Sequence, residues 1–195
     1  MLLALLVLAA PRPCAPCLQL TMFMTLRQGI PTAHAIPMND ATILGLRATV
    51  DEEEIESAQW AVKHASSPTV RDFARSLLRG HGNAQNSAKG IADRLKVRIN
   101  IPGDTDSALV SRHNVEMASL RTAKGRQFDR VFLQAVRDDH MNEIAKVTNW
   151  YLPAARNDSV RTYLHDIMPT LAKHQQIAEK LLAQPRTTVA TKRGR

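Results

Sequence analysis

A chain of 195 residues, 44% apolar and only 4% aromatic, is long enough for one domain with a core of its own plus tails. Alanine, leucine, glutamine, arginine and lysine outweigh β-branched and aromatic residues, which argues against a sheet protein. Both cysteines, Cys14 and Cys17, fall near the start, so nothing beyond them can carry a disulfide; the formal charge of +8 raises nucleic acid or an anionic surface as partners.

The opening stretch, MLLALLVLAAPRPC, is too short to span a bilayer, which takes roughly 20 apolar residues. It reads as the apolar part of a secretory leader, with Ala33-x-Ala35 as the small-x-small cleavage pattern. Residues 1–35 are therefore expected to be a cleavable export signal, and the mature chain a periplasmic or outer-envelope protein. No basic residue precedes the apolar run and its distance to Ala35 is long, which a misassigned start would explain.

From Asp40 the pattern is helical. The first helix is predicted over about Thr42–Ala65, with Ile43, Leu46, Val50, Ala58 and Ala61 on one stripe. The stretch SSPTV breaks it, Ser67 as a cap and Pro68 as a first helical residue. A second helix carries Val70, Phe73, Leu77, His81, Ala84, Ala88 and Ile91, and NIPGDTD ends it. A short helix, about Ala108–Leu120, precedes KGR. The next long helix covers about Gln127–Leu152, and after PAARND a last one runs to about Leu182. Residues 184–195, ending TTVATKRGR, have no apolar periodicity and read as a disordered basic tail.

Four long helices in two hairpins predict an all-α, ferritin-like four-helix bundle over residues 40–183. The connection from Lys96 to Arg126, with its short helix, is long enough to cross from one end of a bundle to the other, as that topology requires. An up-down-up-down bundle with a decorated loop is the alternative. Counted from the hairpin tips, Glu54 and His81 stand level with each other, as do His140 and His174. All four lie on apolar stripes and are expected to meet at mid-bundle. One carboxylate and three imidazoles could hold a single ion of zinc, copper, iron or nickel, with Asp139 and Glu143 as outer partners of His140. The same groups could instead satisfy one another by hydrogen bonds in a metal-free core.

The segments EIESAQWAVKHASSPTVRDFARSLLRGH, KGRQFDRVFLQAVRDDH and MPTLAKH resemble the bacterial domain-of-unknown-function family 4142, a ferritin-like group often labelled predicted outer membrane protein. The resemblance covers about Asp40–Leu182 and implies fold and secretion, with no established activity. It departs at Gly80, where the family usually has an acidic residue before the second-helix histidine.

Too few carboxylates accompany the histidines for a ferroxidase: Leu78 and Leu171 occupy the positions three before His81 and His174. Pro169 removes one backbone hydrogen bond a turn before His174 and offers a kink. His113-x-x-Glu116 has ligand spacing on a helix expected to be exposed. His64 and His165 read as surface groups, and Trp60 and Trp150 as core plugs. Of DEEEIE, only Glu54 is expected to point inward. No phosphate loop, nucleophile elbow or triad is present, so enzymatic activity is not expected. Three readings follow: an exported metal-binding bundle; a structural or interaction bundle acting as an envelope component or homo-oligomer; and, disfavoured by the leader, a nucleic-acid binder using the tail.

Overall fold

The structure, a computed structural model, describes residues 38–99 and 103–184, and every regular element among them is helical. The chain divides into two units, Met1–Ala35 and Ile36–Arg195; the described residues all belong to the second. The expected leader and basic tail lie outside the described residues. Helix α1 spans Asp40–His64, α2 Pro68–Leu95, α3 Gly103–Thr122 and α4 Gly125–Lys146. A π-helical turn, Val147–Tyr151, and the short α5, Leu152–Ala154, prolong α4, and α6 covers Asp158–Leu182.

Local chemistry starts and stops these helices. Asn39 Oδ1 accepts from the Thr42 amide at 3.0 Å, and Asn157 Oδ1 from the Ser159 amide at 2.9 Å, capping α1 and α6. Pro68 opens α2, where its missing N–H is no loss. The α2 C-terminus is closed by Lys96 in the left-handed region, φ 53°.

The two hairpin tips repeat one design. At the first, Asp129 accepts from the backbone amides of Ser66 and Ser67, at 2.8 and 3.0 Å. At the second, Asp40 accepts from the amides of Arg156 and Asn157, at 2.9 and 3.1 Å. Arg71 donates to Ala65 O at 2.7 Å, and Arg161 to Ala155 O at 2.8 Å. The same step along the chain relates Ala65, Val70, Arg71 and Phe73 to Ala155, Val160, Arg161 and Tyr163. The α1–α2 and α4–α6 hairpins are thus two copies of one unit, each holding the other's tip.

Helix α1 packs along α2, α4 along α6, and α2 also meets α6 while α1 meets α4; α3 lies on α1 and α4. The interior has two apolar clusters. One gathers Ile43, Leu44, Val147, Val160 and Leu164; the other gathers Phe73, Leu77, Met117, Phe128 and Phe132. A fully buried side chain of this size contributes about 1.5–3 kcal/mol. Between the clusters lies a buried polar layer: Arg47, Asp51, His81, His140, Glu143 and His174.

Several sequence expectations change. Helix α3 begins earlier than Ala108, at Gly103. Helix α4 starts at Gly125, whose φ of +54° suits glycine. Trp60 packs against the second apolar cluster as expected, but Trp150 is not a core plug. Trp150 is 60% exposed, because the wide Val147–Tyr151 turn changes the register and turns Tyr151 inward instead. Trp60 is half-buried and stacks on His64, ring centroids 3.9 Å apart, with the Arg121 guanidinium 5.8 Å from its ring. His64 and His165 are exposed as expected. No described helix is long and apolar enough to cross a membrane.

Candidate metal centre

Three imidazoles meet at the middle of the polar layer, one each from α2, α4 and α6. His81, His140 and His174 are buried, with ring centroids 5.2 Å (His81–His140), 5.3 Å (His81–His174) and 5.2 Å (His140–His174) apart. Each can offer a nitrogen such that the three lie within 4.8 Å of one another. Glu54, the fourth residue predicted to converge here, does so: its carboxylate lies 2.8 Å from His81 Nδ1 and 3.3 Å from His140 Nδ1.

The outer nitrogens are already engaged. His81 Nδ1 faces Asp51 Oδ1 at 3.0 Å as well as Glu54, and His140 Nδ1 lies 2.9 Å from the Val136 carbonyl. A proton on each Nδ1 serves Asp51 Oδ1 and the Val136 carbonyl, while both buried Glu54 oxygens are left without a hydrogen-bond partner; this assignment follows from the hydrogen-bond pattern. His140 Nε2 lies 3.2 Å from His174 Nδ1, and His81 Nε2 is buried without a hydrogen-bond partner. Helical spacing produces the arrangement: Asp51 and Glu54 sit on the same face of α1 as Arg47, one and two turns from it.

Arg47 was not singled out from sequence, nor was Asp51, and both are fully buried. Arg47 donates to Asp51 at 2.7 Å and to Glu143 at 2.6 Å, tying α1 to α4. Of DEEEIE, then, Asp51 points inward as well as Glu54. The signal was present as polar residues four and seven apart on an apolar helix face. It was masked because charged residues are seldom fully buried unless paired, and the partner lies on another helix. Glu143 also accepts from Lys146 at 2.5 Å. It therefore reaches the histidines only through Arg47 and Asp51. Asp139 pairs with Arg112 at 2.5 Å rather than with His140.

Electrostatics follow from these contacts. Burial alone would push His81 down, but Glu54 and Asp51 outweigh it and hold its pKa up at about 9. Burial would push the Glu54 carboxyl up, yet His81 and His140 hold it well below the usual carboxylate range. His140 is pushed down by burial and by His81. His174, buried beside His140 and His81 without a close carboxylate, is pushed down to about 3. Burial and Glu116 push Asp139 up to about 7. Three carboxylates, Asp51, Glu54 and Glu143, thus share the layer with Arg47 and the half-exposed Lys146, and the unmatched negative charge is balanced by a proton on His81.

Gly80 leaves room for the site. A Cβ there would lie 2.8 Å from His174 Cε1, so the imidazole packs directly on the α2 backbone. His113 and Glu116 are not a ligand pair. His113 faces Glu56 at 3.0 Å and Glu116 accepts from Ser57 at 2.8 Å, holding α3 on α1.

Fold and layer define an all-helical protein whose hydrophobic core is interrupted by a histidine trio backed by carboxylates. Residues 26–181 match DUF4142, a domain of unknown function, and the chain belongs to that family. Similar solved structures include a DUF305 fragment from Deinococcus radiodurans, with a TM-score of 0.64 and 18% identity over 73% of this chain and 94% of that one. A DUF305 protein from Streptomyces coelicolor has a TM-score of 0.63 and 15% identity over 74% and 91%. CopM in its Cu(II)-bound form has a TM-score of 0.59 and 15% identity over 74% and 96%. At these identities the likeness is one of fold. A comparison with curated proteins finds no match.

Proposed function

We propose that this chain is an exported, non-enzymatic metal-binding protein that holds one transition-metal ion on His81, His140 and His174. The observation that carries the reading is the trio itself: three buried imidazoles from three helices, two with their outer nitrogen already held by a carboxylate or a carbonyl. Metal-binding histidines are oriented in this way. The 3.2 Å between His140 Nε2 and His174 Nδ1 matches the roughly 3.3 Å expected for two nitrogens about 2.0–2.1 Å from one tetrahedral ion. Glu54, grouped with the ligands from sequence, is assigned to the outer side, where it orients His81 and His140; Asp51 shares that role.

Imidazole suits zinc, copper, iron and nickel, and among divalent ions copper binds such a site most tightly. Solved structures of CopM, similar in fold, are described in Cu(II)-bound and Ag-bound forms, which favours copper here. In this reading the four long helices form a ferritin-like bundle with a crossover through α3. Residues 1–35 are its export leader and 184–195 its basic tail. A metal-free, structural core is the second reading, favoured by the His140–His174 hydrogen bond.

Titrating untagged protein with copper against a chromogenic chelator tests this. One ion per chain, lost in His140→Ala, is the expected result. A wild-type chain that takes no copper, zinc, iron or nickel overturns it in favour of the structural core.

A further inference from the structure

The histidines are buried, so an ion needs a way in. On the α1–α4 face α3 covers the layer: Arg112 bridges Asp139 and Glu53, Glu116 bonds Ser57, and a void of about 10 Å³ lies beside Glu54 and His140. The opposite face differs. Between α2 and α6 lies a cleft of about 660 Å³ that reaches Arg47, Asp51 and His81 at its floor. His81, 2% exposed, lines this cleft, and its Nε2 has no hydrogen-bond partner. The lining is mixed: Asn83, Ser87, Thr162 and Thr170 offer amides and hydroxyls beside Ile91 and Ile167, and two acidic groups, Asp158 and Asp166, outnumber the one arginine above the floor, Arg94. Side-chain oxygens of this kind can replace water around a hydrated cation, and acidic groups raise its local concentration.

We propose that the α2–α6 cleft is the passage by which a cation reaches and leaves the histidine trio, with His81 Nε2 as its first nitrogen ligand. The inference rests on the metal-binding reading above. An ion first replaces the Nε2 proton of His81, which leaves to solvent, and then takes His140 and His174 in place of the proton they share. Gly80 and Thr170 flank the inner end: Thr170 Cγ2 would lie 3.5 Å from a Cβ at Gly80, beside the His174 ring.

The test is a stopped-flow measurement of copper uptake by the full chain, and of copper release to an excess of chelator. Ser87→Trp places a bulky ring in the cleft from an exposed position; uptake and release should both slow by about tenfold, with equilibrium affinity unchanged. Asn83→Trp serves if Ser87→Trp does not fold. Asp166→Asn should slow uptake at low salt and match wild type at high salt. Arg112→Ala, which loosens the α3 side, should leave both rates unchanged. Wild-type rates in both tryptophan variants, or faster uptake in Arg112→Ala, would overturn the passage while leaving the metal site standing. A wild-type chain that binds no copper overturns both.

Discussion

His140 Nε2 and His174 Nδ1 stand 3.2 Å apart in a buried layer, one from α4 and one from α6. Without a metal that contact is a hydrogen bond; in the proposed metal-bound form the two nitrogens share the ion. His174→Ala should therefore abolish the copper-dependent rise in unfolding midpoint, and should lower metal-free stability by about 1–3 kcal/mol through the partner left unpaired. Thermal unfolding with and without copper reads both effects. A copper response that survives the substitution would remove His174 from the ligand set.

Arg47 is the buried cation between Asp51 and Glu143. Arg47→Leu removes the buried cation and leaves Glu143 to Lys146 and Asp51 to His81, which should cost about 3–5 kcal/mol in urea unfolding. Arg47→Lys, which keeps the charge without the two-pronged geometry, should cost less. Equal losses in the two variants would show that charge contributes little.

Glu54→Gln keeps the size of the side chain and removes its charge. If Glu54 orients His81 and His140 from outside, copper affinity should fall by about 10–100-fold while one ion per chain still binds. A competition titration separates affinity from stoichiometry. Loss of all binding would instead make Glu54 a ligand.

How far these positions could be read in the sequence depended on whether the information was local. Apolar stripes, Pro68 and the two asparagine caps are local signals, and the long helices lie close to where periodicity puts them. The convergence of Glu54, His81, His140 and His174 was legible because distance from a hairpin tip translates into height along a helix. Arg47 and Asp51 escaped because their burial depends on Glu143 and His81, on other helices. The outward turn of Trp150 follows from a π turn, which has no simple sequence mark. The repeat relating Val70, Arg71 and Phe73 to Val160, Arg161 and Tyr163 was present in the sequence, but only the matching tip contacts made it conspicuous.

Metal-free stability should have a maximum near neutral pH. His174, held near 3, binds no proton in the folded chain. Its contribution is full above the unfolded histidine value of about 6.5 and is lost as pH falls from there toward 3. His81, held up at about 9, has the opposite sign. Its contribution is full below about 6.5 and is lost as pH rises toward 9. Urea midpoints measured from pH 4 to 10 should rise and then fall. His81→Gln should flatten the alkaline limb and leave the acid limb; an unchanged alkaline limb would show that His81 carries no such proton.

In the proposed metal-bound form the three imidazoles bind the ion themselves. X-ray absorption at the copper edge of the loaded protein measures this most directly. Ligation by the trio gives about three nitrogen neighbours near 2 Å with the multiple-scattering pattern of imidazole. A shell of oxygens alone would contradict it.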